Sequence, residues 1–146
     1  MYRIHRAPPD ELRPLTSLVL RLWPEHKAEE LAEEYRLLLS ETDCAIFLAA
    51  GEDTPVGFAQ CQLRRDYVEG TETSPVGYLE GIYVLPEYRG SGLARALLNA
   101  CENWAREQNC QEFASDCELD NHQSLAFHLH VGFQEANRII CFRKDL

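Results

Sequence analysis

The sequence predicts a mixed α/β fold built around one sheet. Three observations carry that prediction. Residues 44–50, Cys44-Ala45-Ile46-Phe47-Leu48-Ala49-Ala50, form a continuous apolar run ended by Gly51, the pattern of a strand covered on both faces. Leu12, Leu15, Leu18, Val19 and Leu22, and later Leu93, Leu97, Leu98 and Cys101, recur at helical spacing. The two kinds of segment alternate: a strand, two helices, three strands, a helix, a strand, a helix, and one or two closing strands. With 146 residues and 45% apolar content, the chain reads as one domain, residues 1–146, with one core.

Taken in order, residues 2–7 alternate as a first strand, which Pro8-Pro9 ends. Asp10 is placed to cap the helix that follows, and Pro14 lies in its first turn, where proline is tolerated. Pro24 stops that helix at Trp23. A second helix over residues 25–39 has an apolar face of Leu31, Tyr35, Leu38 and Leu39. Its glutamates, from Glu25 to Glu34, read as a solvated face. After the apolar strand, residues 56–65 alternate, with Phe58, Gln60, Gln62 and Arg64 on one side and Ala59, Cys61 and Leu63 on the other. Residues 66–75 are polar and read as a loop. Residues 76–85 form the next strand, followed by a helix to about residue 108. Residues 112–117 are read as a strand and residues 121–131 as a helix that Gly132 ends. Residues 133–144 hold one or two more strands, with Ile139, Ile140, Cys141 and Phe142 apolar.

Composition narrows the function. The formal net charge of -10 argues against nucleic acid, because phosphate binding needs a basic face. No apolar run approaches a bilayer span, and the N-terminus lacks the apolar stretch of a secretory signal. Six cysteines at irregular spacing, without a C-x-x-C pair, point to cytoplasmic thiols packed as small hydrophobes and to no metal site.

The most informative stretch lies between the 76–85 strand and the helix from Leu93. It reads Pro86-Glu87-Tyr88-Arg89-Gly90-Ser91-Gly92-Leu93-Ala94. A glycine-rich turn entering a helix leaves unpaired N–H groups at the positive end of the helix dipole, which suits phosphate. The spacing is neither the dinucleotide fingerprint nor the P-loop, since no Gly-Lys-Ser/Thr follows. Arg89-x-x-Gly92-x-Ala94 instead resembles the Arg/Gln-x-x-Gly-x-Gly/Ala signature of the GNAT superfamily of N-acetyltransferases. Asn121, Ser124-Leu125-Ala126-Phe127 and Gly132-Phe133 extend the likeness. A narrower resemblance, over most of the chain, is to the aminoglycoside 6'-N-acetyltransferases. It is carried by Leu22-Trp23-Pro24-Glu25-His26, Tyr67-Val68-Glu69-Gly70-Thr71, Tyr78-Leu79-Glu80-Gly81-Ile82-Tyr83-Val84, Glu112-Phe113-Ala114-Ser115-Asp116 and Phe133-Gln134-Glu135.

The resemblance implies a mostly antiparallel sheet, splayed at its central strands and flanked by about four helices, and acetyl-CoA as co-substrate. It implies that Arg89, Gly90, Ser91, Gly92, Leu93 and Ala94 hold the cofactor pyrophosphate, that Asn121 contacts the cofactor, and that backbone N–H groups of Ile82, Tyr83 and Val84 meet the acetyl carbonyl. Asp116 resembles the family's ligand for the substrate amine and Glu135 a second substrate carboxylate. Asn137 stands where relatives often carry an acid. Trp23, Glu25 and Tyr67 are candidate pocket walls, though Trp23 equally reads as a plug between the first helices. His128 stands where the family usually has a tyrosine that protonates the departing thiolate; it reads either as that acid or as a packed residue. A homodimer is implied by the resemblance alone.

The chemistry asks for proton removal from an amine. A lysine-like ammonium costs roughly 4–5 kcal/mol to deprotonate at pH 7, and an amine with a pKa near 8 only about 1.4 kcal/mol. Glu80 is the first candidate for base or base relay, and strand alternation puts it on the same face as Ile82. Its other reading is an edge carboxylate paired with an arginine. Asp116 lies at the carboxyl end of its strand, where open α/β sheets bind ligands. Asp120 reads as a cap for the following helix. Two readings stand beside an aminoglycoside acetyltransferase: an acetyltransferase for another polyamine or small amine, and a non-catalytic acetyl-CoA sensor on the same fold.

Overall fold

A computed structural model describes residues 1–146. The strands are β1 (Arg3–Arg6), β2 (Cys44–Ala50), β3 (Pro55–Arg64), β4 (Val76–Val84) and β5 (Phe113–Ala114). The helices are α1 (Leu12–Leu22), α2 (Ala28–Leu38), α3 (Leu93–Glu107) and α4 (His122–His130). The strands lie in one sheet in sequence order. β1 to β4 pair antiparallel, and β4 and β5 pair parallel. No helix is long and apolar enough to cross a membrane.

The sheet is covered on both faces. Ala59, Cys61, Leu63, Leu79 and Val84 pack against Leu97, Leu98, Cys101 and Trp104 of α3. On the other face, Ile46, Leu48 and Phe58 pack against Leu15, Leu18 and Val19 of α1 and Leu31 and Tyr35 of α2. This explains the apolar run of β2 and the alternation of β3. At Gly77 an added Cβ would meet the Phe113 ring at 2.6 Å and the Ala105 Cβ at 2.8 Å, so glycine there lets α3 and β5 close on β4.

Four local expectations are corrected. Pro9–Glu11 form a 3-10 turn ahead of α1, and Asp10 makes no side-chain cap. The cap of α4 is Asn121, whose side chain accepts from the Ser124 N–H, and not Asp120. β5 is two residues long because β4 and β5 diverge after the pair Tyr78 and Ala114. Residues 133–146 form no strand: a strand needs a paired neighbour, and no strand of this chain pairs with them. On that segment Ile139, Ile140 and Phe142 are 65, 80 and 90% exposed.

The pairing of β3 and β4 contains one irregularity with a functional consequence. Gln60 pairs with Gly81 and Cys61 with Leu79, so Glu80 is an extra residue, a β-bulge. The bulge overturns the expectation that Glu80 and Ile82 share a face. Ile82 pairs with Ala59 and packs toward α3. Glu80 turns to the opposite face, where Arg64 and Tyr78 lie.

Candidate active site

The divergence of β4 and β5 opens a fork. Past Tyr78, β4 continues to Val84 with a partner on only one side. Between that free edge, the turn before α3 and the face of α4 lies a cleft of about 630 Å³. It is lined by Ile82, Tyr83, Val84, Arg89, Gly90, Gly92, Leu93, Ala94 and Asn121, which is the anticipated cofactor set except Ser91. The Ser91 hydroxyl instead donates to the Tyr88 carbonyl. Leu22, Tyr88, Arg95, Gln123, Ser124, Phe127, His130 and Val131 complete the lining and were not anticipated from sequence as site residues. The helical register of α4 and its C-cap Val131 beside α3 places the last five, a relation between helices that no single segment displays.

The turn has the form its composition implies. Gly90 and Gly92 have φ of +80° and +85°, the left-handed region that glycine enters without strain. No atom lies within 4 Å of where their Cβ would be, so the space above the turn is open. The first helical bond of α3 runs from the Ala96 N–H to the Gly92 carbonyl. The N–H groups of residues 90–95 make no backbone hydrogen bond and point to an anion site at a helix start. Arg89 is anchored by its Nε, which donates to the Val84 carbonyl at 2.8 Å, and its guanidinium lies over the Tyr83 ring.

At the fork, Glu80 and Asp116 belong to one polar network. Arg64 donates to both oxygens of Glu80, at 3.1 and 2.9 Å from Nη2. The Arg64 guanidinium sits 3.5 Å from the centroid of the Tyr78 ring, and the Tyr78 hydroxyl donates to Asp116. Burial first, then the Asp116 carboxylate, holds the Tyr78 phenol well above its ordinary range, so it stays a donor. The structure thus realises the arginine-paired reading of Glu80 while also joining it to Asp116. Arg64 and Tyr78 went unnamed as site residues because each fits an ordinary strand position. Beside the network, Trp23 lies on Gly81, where an added Cβ would meet the indole at 2.6 Å. Trp23 also packs against the α1/α2 core, so it serves as both wall and plug.

The remaining candidates lie apart. Tyr67 is 76% exposed, and Glu25 is exposed beside His26. Glu135 pairs with Arg138, whose hydrogen bond and charge hold its carboxyl below the usual range. Asn137 donates to Glu69 at 2.6 Å; an acid at position 137 would repel that carboxylate. His128 does not line the cleft. Its Nδ1 is 2.7 Å from the Ser124 carbonyl and its Nε2 is 2.8 Å from the Ser115 hydroxyl. Cys44, Cys61 and Cys101 are buried. Burial pushes the Cys44 thiol up to about 12, and the Cys101 hydrogen bond with burial raises Cys61 further, which makes poor nucleophiles of both.

Comparison with known proteins identifies the family and the fold. Residues 12–133 match the acetyltransferase (GNAT) family. The chain is 44% identical to the aminoglycoside N(6')-acetyltransferase type 1 of Stenotrophomonas maltophilia, over 98% of this chain and 93% of that one. Among solved structures, the aminoglycoside 6'-N-acetyltransferase AAC(6')-Ih of Acinetobacter baumannii superposes with a TM-score of 0.95 at 39% identity, covering 100% of this chain and 99% of that one. AAC(6')-Iy, solved with the bisubstrate analog CoA-S-monomethyl-acetylneamine, superposes with a TM-score of 0.96 at 34% identity, covering the same shares.

Proposed function

The chain belongs to the acetyltransferase (GNAT) family, and from that premise we propose that it is an acetyl-CoA-dependent aminoglycoside 6'-N-acetyltransferase that confers aminoglycoside resistance. One observation carries the reading: a cleft bordered by the free N–H groups at the start of α3 runs along the free edge of β4, and Glu80 and Asp116 stand just outside its lining, further back where β4 and β5 part. That layout suits a diphosphate at one end and a cationic amine at the other. AAC(6')-Iy, at 34% identity, was solved with a molecule joining CoA to an acetylated neamine, which supports the same pairing here.

The proposed roles combine this geometry with the family resemblance. The turn of residues 89–94 and Asn121 hold acetyl-CoA, which supplies an activated acetyl group. Backbone N–H groups of Ile82–Val84 on the unpaired edge polarise the carbonyl. Asp116 binds the substrate ammonium. Glu80, with Arg64 on both oxygens, takes the proton through water. Trp23, beside the network, bounds the sugar; Glu25, Tyr67 and Glu135, which lie apart from it in one chain, are assigned to the sugar by the family resemblance alone. Transfer is direct attack in a ternary complex, a reading that the buried, poorly acidic Cys44 and Cys61 favour over a cysteine-linked intermediate. The enzyme acts in the cytoplasm as a homodimer. Six free thiols support the first. The exposed apolar segment 139–142 and the open outer edge of β5 support the second.

Release of free thiol from acetyl-CoA on adding kanamycin or tobramycin, with the acetyl group mapped to the 6'-amine, is the expected result. Release only with other amines would move the assignment to a different polyamine. No release with any amine would leave an acetyl-CoA sensor.

A further inference from the structure

The fork holds one hydroxyl that the proposed roles leave unused. Ser115 follows β5 directly, where β4 and β5 part. Its Oγ lies 2.8 Å from His128 Nε2 and 3.4 Å from the Leu79 carbonyl. The His128 Nδ1 faces the Ser124 carbonyl at 2.7 Å. A carbonyl only accepts, so Nδ1 carries a proton; Nε2 then accepts from the Ser115 hydroxyl when the ring is neutral and donates to Oγ when it is charged. Phe127 and Phe133 pack on the imidazole, with centroids at 5.7 and 5.1 Å, and restrain its rotation. A hydroxyl bonded to an imidazole whose far nitrogen is pinned by an acceptor is the arrangement that couples a weak acid to a base.

Ser115 has one hydrogen and two acceptors within reach. A proton arriving at Nε2 reverses the bond. Nε2–H then donates to Oγ, and the hydroxyl hydrogen swings away, with the Leu79 carbonyl as its alternative acceptor. The pair thus takes up a proton without moving a heavy atom. The neighbouring carboxylates do not compete for it, since Asp116 is engaged by Tyr78 and Glu80 by Arg64.

We propose that Ser115 is the hydroxyl through which His128 passes a proton to the departing thiolate; this rests on the acetyl-transfer reading. As the carbon–sulfur bond breaks behind the new carbon–nitrogen bond, its electron pair stays on sulfur. Ser115 gives its hydroxyl proton to that sulfur, and Nε2–H of the imidazolium, charged beforehand by a proton from solvent, refills Oγ. His128 returns to its neutral Nδ1–H form, and the proton lost by the amine leaves through Glu80 and water. The products are an amide and a free thiol, with Ser115 unchanged. His128 acts through Ser115 and is a positioning residue. The tyrosine expected by resemblance is thereby replaced by two residues from different elements.

The test compares Ser115→Ala, Ser115→Thr, His128→Gln and the double variant Ser115→Ala/His128→Gln. It combines steady-state kinetics, calorimetric coenzyme A binding and long-range proton–nitrogen spectra of the histidines. Ser115→Ala is expected to lower kcat by about 10²-fold, as for loss of a positioned acid. KM and coenzyme A affinity should stay within about twofold. Ser115→Thr restores turnover, the double variant loses no more than either single one, and His128 appears as the Nδ1–H tautomer. Unchanged kcat in Ser115→Ala, a His128 protonated at Nε2 instead of Nδ1, or lost coenzyme A binding without rescue by threonine would each overturn the proposal. A wild-type protein that transfers to no amine, its His128 tautomer as expected, would instead sink the acetyl-transfer reading beneath it.

Discussion

Glu80 is held by a strand irregularity and an arginine, and both bear on what it can do. As the extra residue in β4, it leaves the alternation that its neighbours keep. Arg64 then engages both its oxygens, while Tyr78 bridges Arg64 to Asp116. Two acids fixed this way hold a set geometry toward an incoming amine, which is what proton transfer and orientation require. Glu80→Gln is expected to lower kcat by about 10²–10⁴-fold, and Asp116→Asn to raise KM for the aminoglycoside as well. Calorimetric coenzyme A binding should be nearly unchanged in both; its loss would mean that both acids serve the cofactor end. The two acids were legible in the sequence through residue type, strand position and resemblance. The bulge was not, because an inserted strand residue has no composition of its own. Without the bulge, neither the partner of Glu80 nor the network role of Tyr78 could be read.

The turn before α3 is the element most completely legible, since its function resides in backbone conformation and glycine declares that conformation. Gly92 sits at φ +85° with open space above it. Gly92→Ala should therefore cost about 1–2 kcal/mol of left-handed strain with no steric clash. Thermal unfolding would read this as a modest loss of stability, and coenzyme A binding should weaken with it as the N–H array relaxes. A variant as stable as wild type with undiminished affinity would show that the array does not hold the cofactor. The loop of residues 66–75 gave no such signal, because its order comes from a distant residue. Glu112, just before β5, accepts from the N–H groups of Glu72 and Thr73 at 2.9 and 2.8 Å and from the Thr73 hydroxyl. Those bonds, the hydroxyl first, hold the Glu112 carboxyl below its ordinary value of 4.5. A group lowered in the folded state contributes above its unfolded pKa and loses that contribution as pH falls through the folded value. Amide exchange at Glu72 and Thr73 should then be protected at neutral pH and accelerate selectively, relative to β3 and β4, as the pH falls through the lowered value of the Glu112 carboxyl. Glu112→Gln should remove most of that pH dependence. Equal acceleration across the sheet would mean global acid unfolding instead.

At the scale of the whole molecule, charge and the C-terminal segment set the remaining expectations. A net charge of -10 and a fork with two carboxylates should draw a polycationic drug, so its KM should rise with ionic strength. A KM indifferent to salt would remove the acidic-pocket account. The closing segment was read from sequence as strand, and its side chains justify that reading, but a strand is a property of a pair. Within one chain the outer edge of β5 stays open and residues 133–146 stay unpaired. Exposed edges and exposed apolar strands are liabilities that folded proteins cover. A two-fold pair of chains would cover both at once, each segment meeting the other's sheet, because a symmetric interface uses every contact twice. Burying Ile139, Ile140 and Phe142 would contribute about 1.5–3 kcal/mol per side chain before ordering costs. The same three residues have little to do in their own chain, being 65, 80 and 90% exposed. Ile140→Glu with Phe142→Asp should therefore leave the circular dichroism of the fold intact and shift the species seen by light scattering from dimer to monomer. If the pocket draws on Glu135 from this segment, the monomer should also bind aminoglycoside more weakly while keeping its affinity for coenzyme A. A substituted protein that remains dimeric would move the interface elsewhere, and a wild-type protein that is monomeric at micromolar concentration would leave the segment uncovered and the homodimer without support.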